Sequence, residues 1–380
     1  MSARTGLQLR STITEDGRLE ITLISQPVPT PADDEVLVRI DATPINPSDL
    51  GLLFGPADLS TLAVSEANGQ PVVSARIPER AMPAMAARVG RRMPVGNEGA
   101  GVVVEAGASP AAQALKGRTV AMIGGAMYAE YRVIKAAEVL PLPQGISAEQ
   151  GASCFVNPLT ALGFIETLRR EGHTALVHTA AASNLGQMLN RICLADGIGL
   201  VNVVRSPEQV ALLRSQGAAH VVDSSAPTFM TDLTEAVAAT GATLGFDAIG
   251  GGRLAGQLLT AMETALTRSA TEYSRYGSET LKQVYVYGTL DTGPTEIVRN
   301  FGFAWRMGGW LLFPFLKQAG PEVSARLRQR VLDELTTTFA SHYAHRVSLA
   351  DALSEAAIRR YAVRSTSGKT LIVPSLDARA

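Results

Sequence analysis

Ala175-Leu176-Val177-His178-Thr179-Ala180-Ala181-Ala182-Ser183-Asn184-Leu185-Gly186-Gln187 passes from a short apolar run, through small residues, into helical spacing that continues to Leu189 and Leu194. The same alternation recurs downstream. Leu200–Val204 precedes a helix from Pro207 to Gln216. Val221-Val222 precedes a helix near Met230 to Thr240, and Leu244–Ile249 precedes a longer helical stretch that ends at Gln283–Gly288. Strands alternating with helices at this interval predict right-handed βαβ units and a parallel, doubly wound sheet.

The chain on either side reads differently. The first 150 residues are β-rich: Leu19–Leu23 and Glu35–Ile40 alternate with period two, Gly99–Gly107 is a glycine-bounded buried run, and Arg118–Met122 and Tyr128–Val133 follow. Residues 55–92, rich in Ala, Pro and Ser with weak periodicity, read as a loop or short-helix excursion. Ser147-Ala148-Glu149-Gln150 has the form of a capped helix start, and Pro158 to Arg170 continues with helical spacing. The tail ends in a strand, Thr370–Val373. A β-rich first part, an α/β insert and a short return predict a split first domain.

Composition removes several function classes. With 380 residues, 46% of them hydrophobic and 18% charged, two domains with large cores are expected and wholesale disorder is not. A net charge of -1 gives no electrostatic case for a dedicated nucleic-acid binder. The first 25 residues carry no signal-like apolar core, and the greasiest stretch, Phe301 to Leu316, is interrupted by Arg306 and Pro314. No membrane association and a cytoplasmic location are therefore expected. Cys154 and Cys193 are too few for a four-thiolate zinc site and read as buried, inert thiols.

Ala181 to Gln187 lies where a Rossmann fold places its phosphate loop, at a helix N-terminus that offers N–H groups to a pyrophosphate. The usual G-x-G-x-x-G becomes Ala181-x-Ser183-x-x-Gly186. An ordinary strand-to-helix turn has the same look, and the surrounding βαβ alternation is what favours a dinucleotide. Arg205 follows the second strand, where an NAD enzyme places an acidic residue on the ribose. A guanidinium with Ser206 beside it suits a 2′-phosphate instead; a solvated arginine at a strand end has the same look, and NADP(H) is the expected cofactor.

These residues, in this order, resemble the medium-chain dehydrogenase/reductase superfamily, in its zinc-free quinone oxidoreductase and enoyl-thioester reductase branches. Ile45-Asn46-Pro47-Ser48-Asp49 resembles the N-terminal active-site motif, Gly96–Val103 the glycine-rich strand, and Tyr128–Tyr131 the Tyr-Ala-Glu-Tyr strand. Asn157–Ala161 resembles the helix that opens the nucleotide domain. Asn202–Arg205 is similar to the NADP-selective strand end, and Phe246–Gly251 and Tyr287-Gly288 to the later Rossmann strands.

The resemblance implies an α/β protein: a GroES-like β-barrel catalytic domain over residues 1–156, an NADP-binding Rossmann domain over 157–306, and a return to the catalytic domain over 307–380. It implies Asn46 and Asp49 as catalytic candidates. Asn46 also reads as a turn-former before Pro47, and Asp49 as a buried partner in that turn. For the cofactor it implies Thr160, Ser183, Asn184, Leu185, Gly186, Arg205, Tyr287, Gly288 and Lys369. Thr160 also reads as a helix threonine bonded to its own backbone, and Lys369 as a solvated strand end.

Zinc-dependent members of the superfamily place a histidine before the motif glutamate. Here Asn97 stands there, and no histidine precedes His173, so a catalytic zinc of that type is not expected. Enoyl-thioester reductases place a proton-donating tyrosine soon after the Asn-Pro-Ser-Asp motif, and Leu50 to Ser60 has none. The sequence reading is thus an NADPH-dependent reductase of a quinone or activated enone. Its alternatives are an enoyl-thioester or alkenal reductase and a non-catalytic NADPH-binding protein. A small-molecule electron acceptor is the expected partner, and a homodimer the expected assembly.

Overall fold

The computed structural model describes residues 4–268, 270–363 and 368–379, which divide into two compact units. Unit one comprises residues 1–156 and 340–380; unit two comprises 157–339. Residues 307–339, read from the sequence as part of the return, therefore pack with the α/β unit. The reason is local: strand Trp305–Gly309 adds to the parallel sheet beside Lys282–Val286, and Trp310 buries its ring against Phe164 and Phe246.

Unit one is built on two sheets. The five-stranded sheet pairs Thr5–Ile13 with Arg18–Pro27 and extends to Gln70–Arg76 and Asp58–Ala67. The seven-stranded sheet centres on Glu35–Pro44, which pairs with Glu98–Ala106, Tyr131–Lys135 and the late strand Lys369–Ile372. Alternation makes the core: Leu9, Ile13, Leu19 and Ile21 point inward with Leu349, Leu353 and Ile372.

Residues 55–92 depart from the sequence reading. Asp58–Ala67 and Gln70–Arg76 form a β-hairpin, and only Glu79 to Arg88 supplies short helical turns. Asn68 (φ 53) and Gly69 (φ 73) make its two-residue turn. Asp58–Ala67 buries little on either face, so it shows no two-residue period. The Ser147 start behaves as read, with Ser147 accepting from the Gln150 N–H and Gln150 reaching back to the Ser147 N–H.

The main sheet of unit two has six parallel strands among the described residues. In chain order they are Ala175–His178, Gly199–Val204, His220–Asp223, Leu244–Asp247, Lys282–Val286 and Trp305–Gly309. In space they run third, second, first, fourth, fifth, sixth. The order reverses between the first and fourth strands, so their carboxyl ends open a crevice, the place where doubly wound sheets bind their ligands. Helices Phe229–Thr240 and Leu254–Arg268 bury Leu233, Val237, Leu258 and Met262 on the sheet. A fully buried ion pair, Lys282 to Glu263, with Ser278 bonded to both, pins the segment before the fifth strand. Among the described residues, no helix is long and apolar enough to cross a membrane.

Candidate functional site

Unit one gathers a polar cluster where strands Glu35–Pro44, Glu98–Ala106 and Lys369–Ile372 meet the helix Pro47–Leu53. Glu98 is fully buried and takes three donors: Asn46 Nδ2 at 2.9 Å on one oxygen, and the N–H groups of Phe155 (3.0 Å) and Val156 (2.8 Å) on the other. Asp49 is equally enclosed. Its oxygens accept from the Asn46 N–H at 2.7 Å and the Asn97 N–H at 2.8 Å. Half of a capping box is thus made, by Asp49, while the Asn46 side chain turns away to Glu98. Asn46 Oδ1 is left as a buried acceptor with no partner. Native structures rarely leave such an atom unused without a reason.

Burial pushes the Asp49 carboxyl up to about 7, with the nearby Glu98 charge adding to the rise and the Asn46, Tyr128 and Asn97 donors opposing it. Lys369 completes the cluster. It is half-buried rather than solvated, and its ammonium donates to Ser153 Oγ at 2.6 Å. Burial lowers its pKa, against the pull of Glu98 and Asp49. Ser153 Oγ in turn lies 2.7 Å from Tyr343 Oη. Asn46, Asp49 and Lys369 are thereby brought together. Glu98, Ser153 and Tyr343 are members the sequence reading missed. Glu98 was visible as the one charge at the head of a Gly/Ala/Val strand. Ser153 and Tyr343, 190 positions apart, left no local signal.

At the place of the superfamily's zinc histidine, Asn97 bonds through Nδ2 to Ser48 Oγ at 3.0 Å. Among the described residues, no group of three or more His, Cys, Asp or Glu is placed to hold a metal. Tyr273 and Tyr276 lie on the surface, 93% and 55% exposed, and both cysteines are buried. Burial lifts the Cys193 thiol to about 12, which keeps it protonated.

Unit two places the second group of residues around its crevice. Ser183 caps the helix Asn184–Asp196, accepting the Gly186 N–H at 3.1 Å. Gly186 has a steric reason: a Cβ there would sit 2.2 Å from the Ala181 carbonyl oxygen. The helix start therefore packs backbone to backbone on the loop, the role of the last glycine in a dinucleotide fingerprint. Ala180 carries φ +50, a left-handed conformation costly for a side-chain-bearing residue. Asn184 and Leu185 form the first helical turn, Leu185 buried and Asn184 partly exposed.

Arg205 stands exposed just beyond the second strand, and its guanidinium makes no ion pair among the described residues. Ser206 beside it caps the next helix by accepting the Gln209 N–H. Thr160 is buried on the helix Val156–Arg170. Tyr287 and Gly288 follow the fifth strand, half-buried, and the Tyr287 hydroxyl lies 2.7 Å from His178 Nε2. Burial drives the His178 pKa down to about 3, so the ring is neutral. Thr179 and Asp247, at the ends of the first and fourth strands, are joined by a 2.8 Å hydrogen bond, and Asp247 also holds the Ile249 and Gly250 N–H groups. These side chains fix the two lips of the crevice.

Residues 32–144 match the alcohol dehydrogenase GroES-like domain. The mitochondrial enoyl-[acyl-carrier-protein] reductase of Xenopus tropicalis is 32% identical over 200 residues, half of this chain and 49% of that protein. The quinone oxidoreductase of Pseudomonas aeruginosa is 35% identical over 135 residues, 34% of this chain and 41% of that one. The chain spans about half or less of the length of these curated relatives. A crystal structure from Mesorhizobium loti, assigned as an NADPH:quinone reductase, superposes with a TM-score of 0.73 at 26% identity, over 98% of this chain and all of the other. With a match to the GroES-like domain over residues 32–144, a 3-2-1-4-5-6 parallel sheet and relatives of this kind, the chain is similar to the medium-chain dehydrogenase/reductase superfamily, in its zinc-free branch.

Proposed function

We propose that the chain is an NADPH-dependent oxidoreductase that transfers a hydride to a quinone or an activated enone. One observation carries the cofactor assignment: the second strand of the nucleotide sheet ends in an exposed guanidinium with no acidic partner among the described residues, where an NAD enzyme needs a carboxylate. Arg205 would take the 2′-phosphate, and the first turn at Ser183, Asn184, Leu185 and Gly186 the pyrophosphate. Thr160, Tyr287 and Gly288 would line the nucleotide further along, and Lys369 is a further candidate for the cofactor. The residues fit the group. The helix start is packed tightly on Ala181, its dipole favours anions, and Arg205 is uncommitted.

NADPH supplies the hydride when bound; the chain's own residues bind, orient and stabilise charge. Asn46, held through its amide nitrogen by Glu98, keeps Oδ1 free for a donor on the acceptor. Asp49 fixes the turn that carries Asn46. No Lewis acid is needed where the acceptor is already electron-poor, as quinones and enones are. The relative named an enoyl-[acyl-carrier-protein] reductase favours a second reading, reduction of an enoyl thioester. A third is a cytoplasmic NADPH-binding protein without turnover. One screen decides among them: NADPH oxidation with quinones, enones and crotonyl thioesters. Turnover of quinones or enones supports the proposal. Turnover of thioesters alone supports the second reading, and tight NADPH binding with no turnover supports the third.

We also propose a homodimer. Trp305–Gly309 is the last strand of its sheet, with Arg306 to Gly309 exposed and Phe303 and Leu311 exposed on either side. An open, partly apolar edge of this kind invites pairing with a second copy. Light scattering at micromolar concentration should report a dimer; a monomer would refute this assembly.

A further inference from the structure

We propose that Glu208 sets how strongly the nucleotide site prefers NADPH to NADH, by opposing the 2′-phosphate that Arg205 attracts and by holding the Ser206 hydroxyl that the phosphate would otherwise take. The proposal rests on the cofactor reading above and deepens it, and every residue it uses lies in unit two.

The backbone gathers these groups at one place. Strand Gly199–Val204 runs into Arg205, and the helix Pro207–Ser215 starts just beyond, capped by Ser206. The Arg205 N–H donates to Gln209 Oε1 at 3.1 Å, and Ser206 Oγ accepts the Gln209 N–H at 3.4 Å, so the strand end is tied to the first helical turn. The neighbouring strand, His220–Asp223, runs parallel with Asp223 opposite Val204, and the Ser224 N–H reaches the Val204 carbonyl at 2.7 Å. The end of the second strand is where a doubly wound sheet meets the adenosine ribose.

Charge at that place is mixed. Arg205 is exposed and makes no ion pair among the described residues. Against it stand the carboxylates of Glu208, in the first helical turn, and Asp223, at the neighbouring strand end. The Ser225 N–H and hydroxyl hold Asp223 Oδ1 at 2.9 and 2.7 Å. Glu208 is drawn back onto the Ser206 hydroxyl and its own N–H. These bonds keep its pKa below the ordinary value, while desolvation and the Asp223 charge work the other way.

An acid in the first turn of a helix ordinarily serves only the helix dipole. Here it also occupies the groups a phosphate needs, a hydroxyl and N–H donors at a helix start near a guanidinium. A 2′-phosphate carries up to two negative charges and is repelled by Glu208. It also finds Ser206 Oγ spent, since that oxygen accepts from Gln209 and gives its one hydrogen to Glu208. NADH carries a neutral 2′-hydroxyl in place of the phosphate, so Glu208 acts on one cofactor and spares the other.

The test uses the full chain and isothermal titration with NADPH, NADH and 2′,5′-ADP, the last reporting the phosphate-bearing end alone. Glu208→Gln removes the charge but keeps an oxygen that can hold Ser206; Glu208→Ala removes both. At low salt, Glu208→Gln should tighten NADPH and 2′,5′-ADP about three- to tenfold, the scale of an exposed like-charge contact with a dianion. Glu208→Ala should tighten them by about twofold more, and NADH should stay within about twofold in both variants. With Ser206→Ala added, the two Glu208 variants should become equal, because no hydroxyl is left to release. Salt at about 0.5 M should remove most of the Glu208→Gln gain.

A purely structural Glu208 gives the opposite result. Losing an acid from the first turn weakens the helix, which would loosen both cofactors or neither. NADPH affinity unchanged or weakened in both Glu208 variants, NADH gaining as much as NADPH, or a Glu208→Gln gain that high salt leaves intact would each overturn the proposal. Equal affinities of the two Glu208 variants with Ser206 present would overturn the serine's part in it. If the Ser206→Ala chain does not fold, the two Glu208 variants at low and high salt decide. A wild type that binds neither NADPH nor 2′,5′-ADP overturns the cofactor reading and the role of Glu208 with it; a wild type that binds both, with indifferent Glu208 variants, overturns the role of Glu208 alone.

Discussion

Replacing Asp49 with asparagine tests the electrostatics of the buried cluster. Two influences compete at this carboxyl. The Asn46 and Asn97 N–H groups, at 2.7 and 2.8 Å, favour the carboxylate. Burial and the neighbouring Glu98 favour the acid, and they win, lifting the group from 3.8 to about 7. The sign follows. A folded pKa above the unfolded one stabilises the protein below the unfolded value, and that stability is lost as pH rises through the folded value. The shift of about 3 units is worth about 4 kcal/mol in all, at about 1.4 kcal/mol per unit, of which about 2.5 kcal/mol falls between pH 5 and 8.

Asp49→Asn removes the titration and sets an NH₂ against one of two N–H donors, a cost that does not depend on pH. The difference in unfolding free energy, wild type minus variant, should therefore fall by about 2.5 kcal/mol from pH 5 to pH 8 and then level off. Urea denaturation at several pH values measures it. Far-UV circular dichroism is the appropriate signal, because Trp305 and Trp310 both lie in the other unit. A difference that is flat, or that grows with pH, would refute the reasoning and mean that the backbone donors hold Asp49 ionised.

Three further substitutions have defined outcomes. Arg205→Ala should weaken NADPH by one to two orders of magnitude, from the loss of charge-assisted bonds worth about 1.5–3 kcal/mol, and leave NADH nearly unchanged in isothermal titration. Gly186→Ala should cost about 1–3 kcal/mol in denaturant unfolding, more than the roughly 1 kcal/mol an alanine normally gains in a helix, because the Ala181 backbone cannot yield to the new Cβ. Glu263→Gln should cost about 3–5 kcal/mol by the same measurement, since it leaves the fully buried Lys282 ammonium without its counter-charge.

What the sequence made legible follows from where the physical signal is local. Strands and helices of the nucleotide unit alternate along the chain, so the parallel sheet could be read from Ala175 to Gly288, and the Ser147–Gln150 cap from four residues. The hairpin at 58–76 was missed because its outer strand buries almost nothing and so has no period. Its signal was instead the Asn68-Gly69 dipeptide. Residues 307–339 read as a return to the first unit because no motif marks which core Trp310 and Phe315 join. Within the cluster, Asn46 and Asp49 stood in one short motif, but the Ser153–Tyr343 and Lys369–Ser153 bonds span 190 and 216 positions. Only the pairing of strands Tyr343–Val347 and Lys369–Ile372 creates that arrangement.

The most direct test of the central claim follows the hydride itself. The protein would be incubated anaerobically with NADPH deuterated at C4, on each face in turn, and an electron-poor enone. Mass spectrometry and NMR would then locate the label. The account predicts one deuterium at the enone β-carbon, from one face of the nicotinamide only, with NADPH strongly preferred over NADH. Saturable NADPH binding with no label in any enone, and no oxidation of NADPH by quinones, would contradict it.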